Sequence, residues 1–152
     1  MAGEWGKIEE VVGKIRDQSV ASFLNEELLR ASSDGRSEIA RYLLSVGADP
    51  NATCVDGLSA LRIAAFGGNL ETVEVLCDAG ARILSAGVGC ESAMSTIISM
   101  LHTLPEEESL REVLLFLEKR ARAEARDMEA RAEQRRINET AALRAELEET
   151  RE

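Results

Sequence analysis

With 152 residues, 45% of them hydrophobic but only 3% aromatic, the chain has the length of one domain and must build its core from Leu, Ile, Val and Ala. Its formal net charge of −10 sits almost wholly in residues 1–117, where nine Lys and Arg face eighteen Asp and Glu, while residues 118–152 hold nine against ten; an acidic body repels phosphate, which excludes nucleic acid and favours basic or apolar protein surfaces as partners. No run reaches the roughly 18–20 apolar residues of a membrane-spanning helix, and MAGEWGKIEE at the amino terminus lacks a charged-then-apolar leader pattern, so the expectation is no membrane and a cytoplasmic location, with the nucleus as alternative.

Over residues 1–24, Trp5, Ile8, Val11, Val12 and Ile15, then Val20, Phe23 and Leu24, recur at helical spacing and predict one or two amphipathic capping helices. Their expected task is to cover the apolar end of the segment that follows. The alternative makes this stretch, with Trp5, a helix that binds a partner.

From residue 25 the chain repeats itself. Leu28, Ala31, Gly35, Glu38, Leu43, Gly47 and Ala48 are matched, all at the one offset that separates Leu28 from Leu61, by Leu61, Ala64, Gly68, Glu71, Leu76, Gly80 and Ala81. Two short helical patterns and a turn in a period of roughly 33 residues are the mark of a helix-turn-helix solenoid unit, which cannot bury its apolar face without neighbours. The units divide as 25–55, 56–88 and 89–121. In the third, Ser92, Ala93 and Met94 fall one period after Ser59, Ala60 and Leu61, but Ile97 and Ile98 replace an alanine pair. Its second helix, LREVLLFLEKRA, aligns only at an offset near 40, after an insertion from His102 to Ser109. Bulky residues at alanine positions mark a degenerate last unit whose far side meets no further repeat.

The tail, residues 122–152, continues a narrow stripe of Leu114, Leu117, Ala121, Ala125, Met128 and Ala132, which Arg135 and Arg136 interrupt before Leu143 and Leu147. Opposite charges four apart, Glu118 with Arg122 and Asp127 with Arg131, each add roughly 0.2–0.5 kcal/mol to a helix. A coiled coil needs apolar a and d positions over three or four heptads, which this stripe does not sustain. Three readings stay open: a long solvated helix, self-association or partner pairing through 114–152, and disorder. Arg151-Glu152 carries no helix stop signal, so the tail is expected to continue in a longer protein.

Chemistry-bearing patterns are scarce. Cys54, Cys77 and Cys90 lack CxxC spacing and histidine companions, which argues against a metal site, and their odd number argues against a disulfide framework. Cys77 reads as a small buried apolar group, while Cys54 and Cys90 fall in turns. His102 reads as a surface loop residue, and Glu106 to Glu108 after Pro105 as a helix start. GVGCES, Gly87 to Ser92, lacks the Lys-Ser/Thr ending of a phosphate loop, and no G-x-S-x-G, H-E-x-x-H or G-x-G-x-x-G motif occurs. The expectation is no enzyme, no cofactor and no metal.

The second unit reads Asp56-Gly57, Ser59-Ala60-Leu61-Arg62, Ala64-Ala65, Gly68-Asn69-Leu70-Glu71, Val73, Leu76-Cys77 and Gly80-Ala81, and in this it resembles the ankyrin repeat. The first unit keeps Gly35, Leu43-Leu44 and Gly47-Ala48-Asp49-Pro50-Asn51 without the D-G-x-T-P opening, and is similar to an amino-terminal capping repeat of that family. Ala60-Leu61-Arg62 stands where the family has Pro-Leu-His, so this unit is expected to be less rigid than the norm. The resemblance implies an all-α, short helix-turn-helix solenoid of about three repeats, flanked by an amino-terminal helix and a long charged carboxy-terminal helix.

It also implies a protein-interaction module or adaptor that binds its partner through a concave face of turn tips and first helices. The positions that vary there fall on Val55, Asp56, Leu58, Phe66 and Gly67, on Val88, Gly89, Glu91, Ser99 and Met100 one period later, and on Ser33 and Asp34 in the first unit. Phe66 is either a binding anchor or a ring packed on the neighbouring helix. The alternatives are an oligomerising scaffold working through the carboxy-terminal helix and a regulatory inhibitor of a partner enzyme such as a kinase.

Overall fold

The structure is a computed structural model that describes residues 2–84 and 92–150, with side chains from Asp17 onward. The helices are α1 (Ala2–Asp34), α2 (Ser37–Ser45), α3 (Ala60–Phe66), α4 (Leu70–Asp78), α5 (Ala93–Thr103) and α6 (Glu108–Glu149). Among the described residues the β-type pairing is an isolated antiparallel bridge, Thr53 with Ser59. The chain divides into two compact units, Met1–Leu115 and Phe116–Glu152. Within the first, α1 packs on α2 and α3, α3 on α4 and α5, and α2 on α4. That pairing makes an inner layer α1–α3–α5 and an outer layer beginning α2–α4, which is the helix-turn-helix stack expected.

The repeat offset is preserved bond by bond. Arg36 N–H donates to Ala31 O at 2.9 Å and Asn69 N–H to Ala64 O at 3.0 Å, each closing its first helix. Ala48 N–H donates to Leu43 O at 3.0 Å and Ala81 N–H to Leu76 O at 2.9 Å, each closing its second. The matched leucines are buried, Leu28 and Leu76 completely, and so are the matched alanines Ala31, Ala64, Ala48 and Ala81. Small residues at these places let helices of adjacent units approach closely.

Gly35 and Gly68 hold the turns that reverse the chain between layers, at φ +69 and +68. That left-handed conformation is open to glycine without the cost other residues meet. A Cβ on Gly35 would also lie 2.6 Å from Asn69 Oδ1, and one on Gly68 2.8 Å from Ser109 Oγ. Ser109 therefore stands in the third unit where Asn69 stands in the second, at the longer of the two offsets. That longer offset continues in the core, with Val73 and Val113 both fully buried.

Serines start the inner helices at matching places. Ser59 Oγ accepts from Arg62 N–H and Ser92 Oγ from Ser95 N–H, both at 3.2 Å, satisfying amides that a helix start leaves open. Ala93 and Ile97 are buried while Ile98 is 45% exposed. Between the turns, Asn51 Oδ1 accepts from Arg82 N–H at 2.8 Å and Asn25 Oδ1 from Asp49 N–H at 2.8 Å, tying loops to neighbouring segments.

Two expectations change. Val20 and Phe23 do not cover the end of the stack: they are 54% and 60% exposed, and Leu24 is half-buried. Helix α1 is one unbroken helix, about 50 Å long at 1.5 Å per residue, and among its described side chains the buried ones are Leu28, Ala31 and Ser32, in its last turns. Trp5, Ile8, Val11, Val12 and Ile15 lie outside the described side chains. His102 belongs to the last turn of α5 rather than to a loop, because the helix runs on to Thr103 and Leu104 N–H still donates to Met100 O at 2.8 Å. Glu108 does open a helix, and Arg111 donates to the Pro105 carbonyl ahead of it.

Cys77 is buried and Cys54 half-buried, and neither is in a disulfide. The one discordant core group among the described residues is Thr72, whose Oγ1 is buried with no hydrogen-bond partner. Replacing it by the same shape without the hydroxyl removes that desolvation cost, so Thr72→Val should raise unfolding free energy by about 1 kcal/mol in urea titration. A loss of stability would show that the hydroxyl has a partner. Leu76→Ala, at a site with no exposure, should cost about 3 kcal/mol by the same measurement. A loss below about 1 kcal/mol would mean that Leu76 is not central to the stack.

Candidate functional site

The inner helix α3 has only two turns, and their division decides what the surface offers. Ala60, Leu61, Ala64 and Ala65 are buried. Arg62, Ile63 and Phe66, at i, i+1 and i+4, share the opposite face. Upstream, Ala60 N–H donates to Ala52 O, Cys54 N–H to Leu58 O and Gly57 N–H to Cys54 O, at 2.9–3.1 Å. These bonds fold residues 52–60 into a tight turn with Val55 and Asp56 exposed at its tip and Leu58 turned towards α3.

Between this turn, the end of α1 and α5 lies an open groove of about 440 Å³, lined by Ser33, Leu58, Arg62, Ile63, Phe66, Gly67 and Thr96. Its lining is mostly apolar, and Phe66 in it is 60% exposed. That exposure leaves most of the ring free, against the reading in which it packs on a neighbouring helix. Arg62 Nε donates to Thr96 Oγ1 at 2.9 Å, and Thr96 Oγ1 donates to Ser92 O at 3.2 Å. Arg62 thus bridges α3 to α5, so although it stands in the place of the family's histidine, a cross-unit tie is kept.

Of the residues expected on this face, Ser33, Leu58, Phe66 and Gly67 line the groove together. Val55, fully exposed, and Asp56 sit at the turn tip. Asp34, the last residue of α1, lies 3.9 Å from Arg36 in a mostly solvated ion pair, worth little on its own. Ser99 and Met100 lie on α5, exposed and half-buried, outside the groove lining. Val88, Gly89 and Glu91, with Cys90, lie outside the described residues.

The groove adds Arg62, Ile63 and Thr96 to the expected set. A signal for them was present: Arg62 and Ile63 precede Phe66 by four and three residues, which places them on one helix face, and Thr96 is one period after Ile63. The lining combines hydroxyls, one guanidinium and aliphatic or aromatic surface, a set suited to holding a ligand rather than to moving protons. Among the described residues, no three His, Cys, Asp or Glu side chains gather as metal ligands. No helix there is long and apolar enough to cross a membrane.

Compared with known proteins, residues 28–76, about a third of the chain, match the family model described as ankyrin repeats (many copies). No curated protein matches the chain. Ankyrin repeats are in general protein–protein interaction modules, and they imply protein partners. The family match falls on the same units whose glycines, alanines and turn hydrogen bonds recur at one fixed offset, and over residues 28–76 the chain carries ankyrin-type repeats.

Proposed function

We propose that the chain is a non-enzymatic interaction module that captures a segment of a partner protein in the groove between α1, α3 and α5. The observation that carries this reading is Phe66, an aromatic residue 60% exposed in the lining of a mostly apolar groove on a chain with few aromatics. An aromatic anchor beside a partly desolvated groove is where binding energy concentrates in protein interfaces. The core does not need Phe66, since α3 is held by Leu61 and its alanines.

The partner segment carries one apolar side chain for the space between Leu58, Ile63 and Phe66, with basic residues outside it. Those basic residues answer the nine excess acids of residues 1–117 and the exposed Asp34 and Asp56 at the rim. Such attraction speeds encounter more than it adds to affinity, and it fades with salt. Val55, Asp56, Ser99 and Met100 extend the contact along the same layer, in an adaptor used in the cytoplasm or nucleus.

A displayed random-peptide library selected on the purified chain tests the proposal. Enriched peptides should share an apolar residue flanked by Lys or Arg, and Phe66→Ala should weaken their binding by about tenfold or more while leaving the thermal midpoint unchanged. Peptides that bind Phe66→Ala and Leu58→Ala as well as the parent protein would remove the groove from the account.

A further inference from the structure

The second compact unit, Phe116–Glu152, is described as one helical stretch of α6 to Glu149, and most of its apolar side chains are uncovered. Met128 is 56%, Leu143 59% and Leu147 65% exposed. These are not scattered. Met128, Ala132, Arg136, Glu139, Leu143 and Leu147 follow one another at steps of four, four, three, four and four. Such spacing belongs to an eleven-residue period, close to the natural turn of an α-helix, so the six share one face of a nearly straight helix. The same phase, eleven residues earlier, falls on Leu117 and Ala121, which are buried. A heptad reading misses this face because it asks for steps of three and four in alternation.

The step pattern is the same read in either direction, and the chemistry of the face complements its own reverse. Set antiparallel against a copy of itself, Met128 meets Leu147, Ala132 meets Leu143, and Arg136 meets Glu139. A large side chain lies against a small one, and the two charges that interrupt the stripe become partners. Beside this face, Glu133 falls within reach of Arg144 of the second copy, and Arg131 within reach of its Glu146. A parallel copy would instead set Arg136 on Arg136 and Glu139 on Glu139. In the single chain Arg136 makes a loose contact with Glu133 at 3.9 Å, both side chains mostly solvated.

We propose that the segment Met128–Leu147 of α6 pairs antiparallel with the same segment of a second copy of this chain, with Arg136 and Glu139 fixing direction and register. Polar pairs inside an otherwise apolar helix seam commonly set register and orientation at some cost in stability. Self-pairing is also favoured by charge: residues 118–152 hold nine basic against ten acidic residues, so two copies meet there without the repulsion their acidic bodies would bring.

The test is sedimentation equilibrium of the full chain over a dilution series, with charge swaps. The parent protein should show a reversible monomer–dimer equilibrium. Arg136→Glu alone and Glu139→Arg alone should each weaken it by about tenfold or more, because each swap replaces two attractions by two repulsions in a symmetric pair. The double variant Arg136→Glu with Glu139→Arg should recover the parent equilibrium, and the two single variants mixed should form a heterodimer that neither forms alone. Circular dichroism of all variants checks that the helix persists. A monomer at every concentration, as expected if this face serves a helix of another protein, would overturn the proposal, and so would a dimer indifferent to the swaps.

Discussion

A seven-residue helix has no stability of its own in water, since isolated helices shorter than about 12–15 residues are marginal. That constraint governs this molecule. Helix α3 exists because α1 and α5 lie on its sides and α4 behind it, and each of those contacts depends on a small residue that lets two backbones come close. Ala60, Ala64 and Ala65 are all fully buried, and larger side chains there would push the layers apart. The turn at Gly68 must then reverse the chain within three residues, Gly67 to Asn69. The repeat is thus less a set of separate elements than one interface written several times.

The groove follows from the same division. With one side of α3 given entirely to its neighbours, the residues between the alanines face outward, and the turn at 52–60 brings Leu58 beside them. Arg62 then works in two directions, holding α5 through Thr96 and forming part of the lining. Stability and binding surface are coupled in this short stack, because the helix that presents Phe66 is the helix with the least capacity to stand alone.

Much of this was legible in the chain. Gly35 and Gly68, Ala31 and Ala64, and Ser59 and Ser92 recur because each answers a local demand of backbone or packing that one residue type meets best. Four of the seven groove residues could be named for the same reason: Leu58, Phe66, Gly67 and Ser33 occupy places the repeat leaves free. What was not legible depends on distance. The bond from Arg62 to Thr96 joins residues 34 apart, and no local pattern announces it. Periodicity showed that Val20 and Phe23 belong to a helix, but whether that helix folds back is decided by the absence of a break near residue 24, and α1 has none. His102 lies in α5 because the helix runs on to Thr103, and its stop signal is Pro105, just beyond the cap residue Leu104, rather than the start of the insertion.

The central claim is that α1, α3 and α4 hold one another as a single interface, and native-state hydrogen exchange tests it most directly. Leu61 is 1% exposed in the middle of α3. In the Leu61→Ala variant, amides from Leu28 to Ser32, from Ile63 to Phe66 and from Val73 to Cys77 should lose the same amount of protection, about 2–5 kcal/mol in opening free energy. Loss confined to α3, with α1 and α4 keeping their protection, would show that the repeats stand independently and would contradict the account.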